Sequence, residues 1–253
     1  MKRISLLDDI RGITILSMIL YHAVWDLVYM FGVNWTWFYT SVAYVWQQSI
    51  CWTFILLSGF CYSLGEKKLK RGFMVLGAGA LVSLVTELVT PEQRIRFGVL
   101  TMLGTSMLLT TLLYKILRKV PAVVGCISSG VLFILLRNIN HGYLGFEAWK
   151  LCRLPDAFYH GGDILTYIGF TDVTFFSADY FSILPWYFLF LVGYFTYQLA
   201  HDKGLLDKLK KIKLPKIAPY HMLGMIGRHS LIIYMLHQPM VYVVLVLVMQ
   251  VVE

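Results

Sequence analysis

Apolar runs long enough to cross a membrane follow one another along nearly the whole chain, and they restrict it to one kind of fold. A helix crossing a hydrocarbon layer about 30 Å thick needs about 20 predominantly apolar residues. Runs of that kind occupy 10–31, 42–64, 72–89, 97–117, 121–138, 179–200 and 228–250. Hydrophobic residues make up 58% of the 253 positions and charged residues 14%, too apolar a balance for a soluble domain with a polar exterior. The expectation is an all-α protein, a polytopic transmembrane helical bundle of about seven spans that forms one integral membrane domain over 1–253.

The connections sort by charge. Seventeen Lys and Arg fall on one side, from Lys2, Arg3 and Arg11 through the cluster Lys67, Lys68, Lys70 and Arg71, then Lys115, Arg118, Lys119, Lys203, Lys208, Lys210, Lys211, Lys213 and Lys216 to Arg228. The other side holds Arg94, Arg96, Arg137, Lys150 and Arg153. Basic residues favour the cytoplasmic side, so this asymmetry predicts an amino terminus inside and a carboxyl terminus outside. It also accounts for most of the net charge of +8, and no soluble basic face remains for nucleic acid. No small-residue cleavage site follows the first apolar stretch, which is therefore expected to stay as an anchor.

Cys51, Cys61, Cys126 and Cys152 have no paired spacing and three of them lie in apolar runs, so neither a disulfide framework nor a metal site is expected. Soluble hydrolase, zinc protease and NTPase chemistries lack support, because GxSxG, HExxH, P-loop and CxxC patterns are missing. Aromatic residues from Trp35 to Trp46 and from Phe175 to Tyr180 fall where the outer interface is expected, the ordinary place for a girdle of such rings. The 139–178 segment is a long polar connection suited to a lid or an acceptor-binding surface.

Within the first run, Arg11 and His22 are eleven residues apart, which puts them within about 20° of each other around a helix and about 16 Å apart along it. Asp26 follows His22 at i+4, where a carboxylate can orient an imidazole. Ionisable groups at mid-membrane depth are costly and usually mark a substrate or ion path. The plainer alternatives are a histidine satisfied by a neighbouring carbonyl and an arginine that only anchors the helix at the interface. Lys67–Arg71 reads either as a loop against anionic lipid or as a phosphate-binding edge. Arg94 and Arg96 run against the charge bias, which calls for pairing with an external acid or for a bound acceptor. In the last run His237 again falls at mid-depth, and Pro239 frees a backbone carbonyl in the turn before it; such a site lines a cavity or serves as packing glue.

The Arg-x10-His pattern at Arg11 and His22 resembles the signature of the transmembrane acyltransferase superfamily, which moves acyl groups from cytosolic acyl-CoA to glycans across a membrane. More closely, Leu7-Asp8-Asp9-Ile10-Arg11-Gly12, Arg96-Phe97-Gly98-Val99-Leu100 with Gly104, Leu184-Pro185-Trp186 with Gly193, and Gly227-Arg228-His229-Ser230 through Tyr234 to His237-Gln238-Pro239 resemble the bacterial heparan-alpha-glucosaminide N-acetyltransferase catalytic-domain-like family. The chain departs from the longer lysosomal member, whose key histidine lies in a luminal loop; no histidine occurs here between Ala23 and Gln93, so heparan glucosamine is not implied as acceptor.

The resemblance implies an acetyl-CoA-dependent acyltransferase of the bacterial cytoplasmic membrane, without metal or haem, acting on an extracytoplasmic glycan or another hydroxyl or amino acceptor. His22 is the expected base or acyl carrier, with Asp26 and His237 as catalytic companions. Arg11, Lys68, Lys70, Arg71, Ser58 and Trp186 are expected around the donor, and Arg94, Arg96 and Tyr234 around the acceptor. The compact length leaves a homodimer open. A small transporter or channel is the alternative, with Arg11, His22, Asp26 and His237 as a proton or solute path. A haem protein ligated by His22 and His237, or a structural membrane subunit, are lesser readings.

Overall fold

The computed structural model describes residues 4–212 and 218–252, so of the basic residues counted above Lys2, Arg3, Lys213 and Lys216 lie outside the described residues. Eleven α-helices occur among the described residues: α1 (Ser5–Tyr29), α2 (Ser41–Tyr62), α3 (Lys68–Val89), α4 (Val99–Leu112), α5 (Tyr114–Leu117), α6 (Ala122–Leu136), α7 (Gly162–Ile168), α8 (Ile183–Asp202), α9 (Leu205–Lys211), α10 (Ala218–Arg228) and α11 (Ser230–Val252). Among the described residues, five helical stretches are long and apolar enough to cross a membrane: α1, α3, Ala122–His141, α8 and Ser230–Val251. Helix α2 has the length, but Gln47, Gln48, Ser49 and Thr53 dilute its apolar character. At 14 residues, α4 is about 21 Å long, short of a full crossing.

The chain forms two compact units, Met1–Phe54 with Gly204–Glu253, and Ile55–Lys203. In the first, α1 begins at Ser5, so Asp8, Asp9 and Arg11 lie within its opening turns. Helices α10 and α11 pack on α1. Glycine makes the α10 crossing close: a methyl group at Gly12 would overlap the Leu223 carbonyl, and one at Gly227 the Asp8 carbonyl. Without a hydrophobic force between helices in lipid, such backbone approach is what holds them. Towards the other end of α1, Val28, Phe38 and Ala43 form a buried cluster with Tyr21, Val24 and Trp25 packed against it.

In the second unit α3 packs on α4, while α4 and α6 pack on α8. Gly59 of α2 lies against the Phe190 carbonyl and Gly193 of α8 against the Leu56 carbonyl, a reciprocal close approach. Hydroxyls of α4 find partners on their own helix and on its neighbours. The Thr110 and Thr111 hydroxyls donate to the carbonyls of Ser106 and Met107 one turn back, at 2.7 and 2.8 Å, and Tyr62 Oη lies 2.8 Å from Thr111 Oγ1. Buried hydroxyls on apolar helices are thereby satisfied without a ligand.

The 139–178 segment is folded. Strands β1 (Tyr143–Phe146) and β2 (Trp149–Arg153) pair antiparallel, Tyr143 opposite Arg153 and Phe146 opposite Trp149. Asn138 fastens the hairpin to the end of α6 by donating from Nδ2 to the carbonyls of Glu147 (2.8 Å) and Trp149 (3.4 Å). Arg137 pairs with Glu147 at 3.2 Å, and the Tyr159 hydroxyl donates to the Ile139 carbonyl at 2.6 Å. Further along, the Thr174 N–H and hydroxyl both donate to Asp172, holding its carboxyl below the usual carboxylate range.

The Gly12 contact makes a stability prediction. Gly12→Val is expected to cost about 1–3 kcal/mol through overpacking, whereas Gly77→Ala on α3, where a methyl meets nothing within 4 Å, stays within about 1 kcal/mol of the parent. Thermal unfolding of both variants in detergent checks the difference.

Candidate active site

Residues four apart on a helix share a face, and on α1 this brings His22 and Asp26 to the side that α11 covers. The rings of His22 and His237 meet edge-on with centroids 4.8 Å apart. Asp26 is fully buried, at 0% exposure, and its Oδ1 accepts a hydrogen bond from Gln238 Nε2 at 2.8 Å. The i+4 spacing points Asp26 towards His22; the carboxylate takes its hydrogen bond from α11 instead. Tyr234, one turn before Gln238, stands 5.3 Å ring to ring from His237 and 6.5 Å from Phe54. Its carbonyl lies 2.5 Å from His237 Nδ1. Two imidazoles, a carboxylate and an amide thus meet between two otherwise apolar helices, a set of groups able to bind and move protons.

Gln238 has no role in the sequence reading. Its signal was an amide inside a 23-residue apolar helix, directly before Pro239.

At the start of α1, Asp8 is shared by two arginines: Arg11 Nη1 lies 3.7 Å from one carboxylate oxygen and Arg228 Nε 3.9 Å from the other. Both separations are ion-pair distances longer than a hydrogen bond, so the guanidinium donors are not used up on Asp8. The sequence reading counts Arg228 only as an inner-side charge, because its partner lies more than 200 positions away.

The second unit holds the remaining expected residues. Lys68 Nζ is sandwiched between the rings of Tyr62 and Tyr114, 4.9 and 5.0 Å from their centroids, so its charge is held by cation–π contact. Lys70 is exposed, Arg71 is half-buried with its guanidinium against Gly65, and Ser58 is half-buried on α2. Arg96 pairs with Asp163 and lies over the rings of Phe97 and Phe175 at 5.8 and 5.5 Å. Phe97 itself has φ of +57° and stacks on Tyr167 with centroids 4.7 Å apart. The Arg94 carbonyl accepts the Ala178 N–H at 3.0 Å, and its half-buried side chain has Nε without a partner.

Trp186 is 4% exposed. The Arg137 guanidinium lies over its ring at 4.9 Å, and Phe133 and Phe181 pack at 5.7 and 4.9 Å. Such an environment packs the indole closely on several sides. Trp186→Ala is expected to lower stability by about 3–5 kcal/mol, read as an earlier thermal transition of the detergent-purified protein.

A search of curated proteins finds no match to this chain, and a search of solved structures finds none either. A family model described as the catalytic domain of heparan-alpha-glucosaminide N-acetyltransferase matches residues 3–239. That stretch includes α1 with Arg11, His22 and Asp26, and reaches through Tyr234, His237 and Gln238 to Pro239. With nearly the whole chain matched, the protein belongs to the heparan-alpha-glucosaminide N-acetyltransferase catalytic family.

Proposed function

We propose that this protein is a membrane acetyltransferase that takes the acetyl group of acetyl-CoA from the cytosolic side and delivers it to an extracytoplasmic sugar or similar hydroxyl or amino acceptor. One observation carries the reading: in a member of an acetyltransferase family, paired imidazoles and a buried carboxylate sit on α1 and α11, both long and apolar enough to span a membrane. A purely structural pair of spans has no use for three ionisable side chains there.

In this reading the chain is one acyltransferase domain of the bacterial cytoplasmic membrane with seven spans, amino terminus inside and carboxyl terminus outside. The bias of Lys and Arg supports that orientation. Arg11, Lys68, Lys70 and Arg71 bind phosphates of the donor, and Ser58 and Trp186 shape the cavity that holds it. The acceptor meets Arg94, Arg96 and the folded 139–178 segment, and Tyr234 shapes the space beside His237. His22 removes the proton of the attacking amine or hydroxyl, or carries the acetyl group in passing; the C–S bond breaks, and CoA leaves as the thiol once the proton reaches sulfur.

Detergent-purified protein is expected to be stabilised saturably by acetyl-CoA, and less so after Arg11→Ala or Arg71→Ala. His22→Ala should keep donor binding while thiol release falls by about 10²- to 10⁴-fold. A folded wild type that millimolar acetyl-CoA leaves unshifted refutes the reading.

A further inference from the structure

The hydrogen bonds that Asp26, His237 and Gln238 make leave a set of atoms of a single polarity. A backbone carbonyl only accepts, so His237 Nδ1, 2.5 Å from the Tyr234 carbonyl, carries the proton, and Nε2 of the neutral ring holds the lone pair. The Asp26 carboxylate likewise only accepts, so the Gln238 atom facing it at 2.8 Å is the amide nitrogen, leaving Oε1 as an acceptor. Three buried atoms here have no hydrogen-bond partner: Asp26 Oδ2, Gln238 Oε1 and His237 Nε2. All three accept, and none donates. The residues carrying them are adjacent, because His237 and Gln238 are consecutive on α11 and each touches the same face of α1, one at His22 and the other at Asp26.

Buried polar atoms left unpaired cost on the order of 1–3 kcal/mol each. They persist in functional sites because something that completes them binds there. What completes this set must bring N–H or O–H groups. These three atoms offer no donor to a second acceptor, such as the carbonyl of a thioester.

We propose that Asp26, Gln238 and His237 form a hydrogen-bond-accepting seat for the nucleophilic group of the acceptor, a group rich in donors: a primary amine or ammonium, or a sugar hydroxyl. A hydroxyl brings one donor, a water two and a primary ammonium three, the last also complementing the Asp26 charge. The seat rests on the transferase reading and deepens it. Gln238 is its positioning residue, since its amide holds Asp26 while its own Oε1 faces the seat.

The test uses the full chain in detergent, with glucosamine and glucose as amine and hydroxyl probes. Thiol release is measured against each probe concentration, and acetyl-CoA stabilisation is measured separately. In Gln238→Met, which removes the amide at similar length, and in Asp26→Asn, which exchanges an accepting oxygen for a donor, the KM of the probe that the wild type uses should rise by about tenfold or more. Losing a hydrogen bond to a charged group commonly has that effect. Acetyl-CoA stabilisation should stay as in the wild type. Use of glucosamine but not of glucose identifies the amine as the seated group, and use of glucose identifies the hydroxyl. Folded variants that keep the acceptor KM within about twofold of the wild type overturn the seat, since the amide energy must then be spent elsewhere.

If the wild type neither binds acetyl-CoA nor releases thiol, the transferase reading fails and histidine 15N spectra decide the seat. The His237 signal is assigned by its loss in His237→Gln. A proton on Nδ1 with Nε2 free sustains the all-acceptor set, and a proton on Nε2 overturns it.

Discussion

Among apolar helices a polar side chain cannot turn to water, so it must find its partner on another helix or on its own backbone. The hydrogen bond from Gln238 to Asp26 is the strongest expression of that constraint here. It joins residues 212 positions apart, registers α11 against α1, and thereby sets His237 beside His22. The same demand explains the second unit, where Thr110 and Thr111 satisfy their hydroxyls on their own helix and Arg137 stacks on Trp186. Chemistry is available only where the demand is left unmet, and in the first unit that is along α1 and α11.

Much of the helix pattern was legible. The apolar runs at 10–31, 72–89 and 228–250 correspond to α1, α3 and α11, because a hydrocarbon environment demands length and hydrophobicity and both are written in composition. The boundary of α1 was legible only roughly. Asp8, Asp9 and Arg11 extend the helix towards its start, since Asp8 is neutralised by Arg11 one turn on and by Arg228. The hairpin at 143–153 was not visible, because its strands are short and held by Asn138 and Glu147, contacts that no periodicity records.

The site divides the same way. His22, Asp26 and His237 stand out in sequence because ionisable groups are rare at such positions, and the structure brings them to one helix pair. Their pairing was not legible. A local rule joins Asp26 to His22, whereas the carboxylate bonds to an amide at the far end of the chain. Lys68 and Trp186 show the opposite limit. The sequence shows a lysine near a helix start and a tryptophan near a proline; it does not show that Tyr62 and Tyr114 flank the one and that Arg137, Phe133 and Phe181 surround the other.

The anchoring of the hairpin bears on how freely that part of the chain can move. Its turn is fastened twice at Glu147, through the carbonyl by Asn138 and through the carboxylate by Arg137, and Arg137 is itself laid flat on a buried indole. A flap that opens and shuts needs a hinge with few ties. Here the turn is tied to the end of α6 through both the backbone and the side chain of Glu147, so displacing the hairpin must break an amide hydrogen bond, an ion pair and a cation–π contact together.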